Sequence, residues 1–152
     1  MNLETQIEID APKEAVWAVI TDFAHAADNI QGIQEVEILE QPVGSLVGLK
    51  WKETRVMFGK TATEVMWITE AVENAHYITR AESHGFIYIS AMRVEDHGSG
   101  CLLTMAHDSQ AQGFMGKVIG VPMGLVFKGM MKKVLLKDLT DIKAVVERGQ
   151  AG

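Results

Sequence analysis

Thr5-Gln6-Ile7-Glu8-Ile9-Asp10 runs directly into Ala11-Pro12-Lys13-Glu14-Ala15-Val16-Trp17-Ala18-Val19-Ile20. The first stretch lies in a run, residues 3–10, that alternates apolar and polar residues, as a strand with one wet face does. The second carries its apolar side chains, continued at Phe23, on a helical period: Val16, Trp17, Ile20, Phe23. Pro12 suits a first helical turn, where its missing N–H costs nothing. Asp10 is positioned to cap this helix, and Glu14 sits near its positive end. A sharp strand-to-helix junction therefore opens the chain. Residues 24–31 predict a second short helix that ends before Gly32.

The other helical segment is the tail. Phe127, Met131, Leu135, Leu139, Ile142 and Val146 are spaced by four, four, four, three and four residues, an apolar stripe on a long helix that Gly149 is expected to end. Lysines 128, 132, 133, 137 and 143 occupy its other faces as a solvated surface. Between the helices the pattern is almost all strand: 33–40, 48–58, 61–72, 76–82, 86–95 and 101–109. The turns fall at Gly59-Lys60, Glu73-Asn74-Ala75, Ser83-His84-Gly85 and Asp96 to Gly100. Seven strands, six of them consecutive, with turns at this spacing mean an antiparallel sheet. The expectation is an α+β fold forming a single domain over residues 1–152. In it a seven-stranded curved antiparallel sheet wraps around a long C-terminal helix, with two short helices after strand 1 and room for a ligand between sheet and helix.

Bulk properties exclude several classes. The chain has 152 residues and a net charge of −6, which argues against general nucleic-acid binding. Its one cysteine, Cys101, allows no internal disulfide and fits a reducing, cytoplasmic setting. Met1-Asn2-Leu3-Glu4 has no secretory character. The longest apolar run, Val118 to Phe127, is too short to span a bilayer, so no stable membrane insertion is expected. No HExxH or CxxC spacing is present, so no metal site and no cofactor are expected. Gly113, Gly116, Gly120 and Gly124 are embedded in apolar residues and read as a lid or irregular helix entry, not a phosphate loop. No serine sits in G-x-S-x-G. Nine methionines are many for this length, and six lie at positions 92, 105, 115, 123, 130 and 131. Flexible, polarizable Met side chains fill a core or meet partners of varied shape.

The element order, with the Ile-Asp-Ala-Pro-x-x-x-Val-Trp junction over residues 9–17, resembles the helix-grip (SRPBCC, START-like) superfamily. This group includes START lipid-transfer domains, the birch-pollen-allergen type and bacterial polyketide cyclase/dehydrase-like proteins. Gly100-Cys101-Leu102-Leu103-Thr104 and the 113–148 tail support the resemblance, which covers essentially the whole chain. It implies a hydrophobic cavity between the concave face of the sheet and the last helix. It does not imply one function, because members of the group bind varied apolar molecules and some are enzymes.

Side-chain parity nominates the cavity residues. On strand 48–58, Leu49, Trp51, Glu53, Arg55 and Met57 share the more apolar face and are expected inward. Glu53 and Arg55 must then pair with each other or with a ligand, since an unpaired buried charge is very costly. On strand 61–72 both faces are mixed, and Trp67 is taken as inward. Tyr77 and Tyr88, with Arg80, are candidates to bond a ligand oxygen. His107 shares parity with Met105 and Cys101 and is the candidate proton-transfer residue. Met123 and Phe127 complete the set from the tail. The expected partner is a hydrophobic small molecule, a lipid, polyketide or similar. The alternative is a cyclase/dehydratase-type enzyme in which Glu53, Arg55, Tyr88 or His107 moves protons, and a protein-interaction module is a third reading. A monomer or a homodimer is compatible with the sequence.

Overall fold

The computed structural model describes residues 2–111 and 121–151, with side chains of the last helix from residue 126 onward. Strand β1 is Asn2–Ile9, followed by helix α1 at Lys13–Ile20, a 3₁₀ turn at Phe23–His25 and helix α2 at Ala26–Asn29. Six strands follow: β2 Ile33–Glu40, β3 Lys50–Met57, β4 Lys60–Val72, β5 His76–Ser83, β6 Phe86–His97 and β7 Gly100–Ala111. Helix α3, Val121–Ala151, closes the chain. All seven strands form one antiparallel sheet in the order β1-β7-β6-β5-β4-β3-β2. The first strand thus pairs with the last and puts the opening junction beside the end of the sheet.

That pairing depends on Gly100. A Cβ at this position would overlap the carbonyl oxygen of Ile9, so the β1–β7 approach admits no side chain there. The junction itself differs from expectation. Pro12, not Asp10, takes the N-cap of α1, and no side chain caps the helix. The Asp10 amide instead donates to Glu147 Oε2 at 2.8 Å, and the Lys143 ammonium donates to the Glu8 carbonyl at 3.0 Å. The sharp turn is therefore tied to the far end of α3.

The apolar stripe of α3 is buried from Met131 through Leu135, Leu139, Ile142 and Val146. Leu139, Ile142 and Val146 meet Val16, Trp17 and Ile20 of α1 and inward residues of the sheet in one core, whereas Met131 and Leu135 pack with Leu3 in a second, smaller one. Phe23 from the 3₁₀ turn lies between Trp51 (ring centroids 4.4 Å apart) and Tyr77 (5.5 Å). Contacts of this geometry add about 1 kcal/mol each beyond area burial. Two local expectations are corrected. Helix α3 continues through Gly149 to Ala151, so Gly149 does not end it. The β3–β4 turn is Phe58-Gly59, not Gly59-Lys60, with φ of +55° and +76°, and Lys60 already pairs with Met57. The expected lid glycines 113, 116 and 120 lie outside the described residues.

Candidate functional site

Between the concave face of the sheet and α3 lies a cavity of about 310 Å³. This is the lower end of the range for small-molecule sites. Its sheet wall comes mainly from the inward rows of β3 to β7. β3 supplies Trp51, Glu53, Arg55 and Met57, β5 Tyr77, Thr79 and Ala81, β6 Tyr88, Ser90 and Met92, and β7 Met105 and His107. The short helices contribute Ile20, Phe23 and Ile30, and α3 adds Phe127, Met131, Leu135 and Asp138.

The structure thus brings together nine of the residues named from sequence: Trp51, Glu53, Arg55, Met57, Tyr77, Tyr88, Met105, His107 and Phe127. The side chain of Met123 lies outside the described residues. Trp67 is a correction. Inward residues of β4 are Ala62, Glu64 and Met66, so Trp67 projects from the opposite face, paired in register with Lys50 and Arg80. Trp51 on β3 sits opposite Met66, and this register decides a parity that two mixed faces left ambiguous. Arg80 shares that outer face and donates to Glu82 at 3.1 Å.

The polar groups of the cavity form two sets. In the first, Arg55 bridges the two layers. Its Nε donates to Glu53 Oε2 at 3.3 Å, and its Nη1 lies 2.9 Å from Asp138 Oδ2 on α3. Trp51 Nε1 donates to the other Glu53 oxygen at 3.4 Å. All three charged side chains are nearly buried. Burial works to lower the Arg55 pKa, but the carboxylates of Asp138 and Glu53 outweigh it and hold the guanidinium above its usual value. Asp138 moves the other way: burial pushes its carboxyl up to about 6, against the pull of Arg55. The two directions agree physically, because Arg55 gains two anions whereas Asp138 shares one cation with Glu53. Glu64 faces the cavity in register with Glu53, and this side of the cavity is richer in carboxylates than in cations.

The second set lies on β6 and β7. Ser90 Oγ and His107 Nδ1 share a hydrogen bond of 2.9 Å across directly paired positions. Tyr88 stacks on the His107 ring with centroids 5.9 Å apart. Burial holds the His107 pKa below its ordinary value, so the imidazole is neutral near pH 7 and can accept a proton. Burial and, less, Glu64 raise the Tyr88 phenol. Tyr77 is deeper. Its hydroxyl donates to the Ile20 carbonyl at 3.4 Å, and burial, with Glu53 nearby, keeps it protonated. Cys101 is buried in the core, and burial raises its thiol pKa, which does not suit a nucleophile.

Several lining residues escaped the sequence reading, among them Glu64, Ser90 and Asp138. Asp138 was detectable: it lies three residues after Leu135 and four before Ile142, so it falls on the buried stripe. An acid on that stripe requires a partner.

The comparisons with known proteins agree with this architecture. A START superfamily protein from Mycobacterium smegmatis superposes with a TM-score of 0.80 at 15% identity, covering 97% of each chain. The Zhui aromatase/cyclase from Streptomyces sp. R1128 gives 0.76 at 18%, covering 97% of this chain and 94% of that one. The major latex-like protein 151 of Panax ginseng gives 0.74 at 18%, covering 95% of each. At these identities the likeness concerns the fold. No curated protein matches the chain. The family described as polyketide cyclase / dehydrase and lipid transport matches residues 1–147, which spans both sets of cavity residues and nearly all of α3, and the chain belongs to that family.

Proposed function

We propose that the chain binds one hydrophobic small molecule, a lipid, polyketide or similar, between the sheet and α3. The observation that carries this reading is the cavity: mostly apolar walls interrupted by a few polar groups on fixed strands. Sites of that make-up bury apolar ligands and use their polar groups to orient them. Arg55 already serves Glu53 and Asp138, so it orients the wall more than it waits for an anionic ligand. A native mass spectrum of gently purified protein tests the reading. The expected result is a one-to-one mass excess that disappears on denaturation. A bare mass, persisting after incubation with medium-chain alcohols, contradicts it.

A second reading, a cyclase or dehydratase acting on such a ligand, is favoured by one observation. The His107–Ser90 pair places a neutral, hydrogen-bonded imidazole on the cavity wall. In this reading His107 removes a proton from the bound chain and Ser90 fixes the ring. The aromatase/cyclase among the similar structures is compatible with such chemistry. H107Q separates the readings: a carrier keeps its ligand with affinity changed only several-fold, whereas an enzyme loses roughly 100-fold or more in turnover.

A further inference from the structure

The cavity edge carries an apolar surface that ligand binding inside does not explain. Val56, Phe58, Val126, Phe127 and Met130 are large apolar side chains that remain exposed, Val126 at 68%. They are gathered, not scattered. Phe58 and Phe127 lie with ring centroids 6.1 Å apart, and Val56, Phe58 and Met130 line one shallow groove with Lys133 and Lys137. Every residue from 126 to 130 is exposed, so this part of α3 is not covered by the sheet. Phe58 also holds φ +55°, a left-handed conformation that costs an aromatic residue about 1 kcal/mol or more. Asn or Gly would fit that turn better, so the ring at the tip is not there for the backbone.

The charge around this surface is mostly basic: Asp138 also lines the groove but is paired with Arg55, and Lys137 is paired with Asp141. Helix residues 126–137 contain Lys128, Lys132, Lys133 and Lys137 and no acid, in a chain whose net charge is −6. Lys128, Lys132 and Lys133 have no carboxylate partner among the described residues, and all are exposed. Lysines bordering exposed aromatic and aliphatic side chains are complementary to an anionic bilayer, where the apolar groups enter the headgroup boundary and the ammoniums meet lipid phosphates.

We propose that residues 126–130 of α3 and the β3–β4 turn form a peripheral docking surface for anionic membranes, which sets the edge of the cavity against the lipid. This needs no spanning segment, and among the described residues no helix is long and apolar enough to cross a bilayer. It is also independent of which molecule the cavity holds, since vesicle binding is read without a ligand.

The test is co-sedimentation of the full chain with vesicles of phosphatidylcholine alone and with about one-third phosphatidylglycerol. The expected result is binding to the anionic vesicles only, reversed by raising salt to about 0.5 M. K128Q/K132Q/K133Q should weaken it about fivefold per lysine removed. Phe58→Asn should weaken it several-fold while keeping or raising the melting temperature, which distinguishes lost contact from lost fold. Equal binding to both vesicle types, or none, overturns the proposal. So does a wild-type dimer in sedimentation that Phe58→Asn converts to monomer, which would assign the surface to a second copy of the chain.

Discussion

Arg55 sits where one guanidinium serves carboxylates from two layers of the fold, Glu53 on the sheet and Asp138 on α3. Removing only the cation leaves two nearly buried acids without it. R55M should therefore cost about 3 kcal/mol in urea unfolding, and R55M/D138L should be more stable than R55M. Titration gives a second residue-level expectation. Burial raises the Asp138 pKa from 3.8 to about 6, so the fold favours its protonated form. The stability from that form is complete below pH 3.8 and is lost as pH rises through about 6. His107 has the opposite sign: its contribution is present above pH 6.5 and is lost as pH falls through its depressed value. D138N and H107Q should each flatten one of these slopes in denaturation curves recorded against pH, and an unchanged curve in either variant contradicts the assignment. Arg55 and Glu53 were legible from strand parity, because alternation on β3 sorts one clearly apolar row. Their partner Asp138 is less legible, because it falls on the apolar stripe of α3 and its pairing with Arg55 joins residues 83 apart in the chain.

Elements were more legible than their contacts. The strand and helix order followed from period and turn residues, and all seven strands lie within a few residues of where the pattern put them. Trp67 shows where this stops. When both rows of a strand are mixed, the neighbouring strand's register decides the facing, and one sequence does not encode that register locally. The Asp10 cap failed for a similar reason: the junction is held by Lys143 and the Glu147 carboxylate from the other end of the chain. The β1–β7 seam gives a sharp prediction. Gly100→Ala forces a methyl group into the Ile9 carbonyl, which should cost about 2 kcal/mol and lower the melting temperature by roughly 4–8 °C. A shift under about 1 °C would show that the seam relaxes freely. Leu139→Ala, at a fully buried position where α3 meets the sheet, should cost about 2–5 kcal/mol in the same assay.

At the scale of the molecule, a seven-stranded sheet curves around one helix without filling the space between them. The order of elements makes that architecture readable, and the family match confirms it over residues 1–147. The occupant of the space is not readable in the same way, because volume and polarity select a class of molecule and not a compound. The most direct test is titration of a neutral naphthyl fluorophore into wild type and into Ala81→Phe, which places a ring at a cavity-lining alanine. The account predicts saturable one-to-one binding to wild type and at least about tenfold weaker binding to a variant that still melts cooperatively. Equal binding to both proteins, or no binding to wild type, would contradict a ligand site between the sheet and α3.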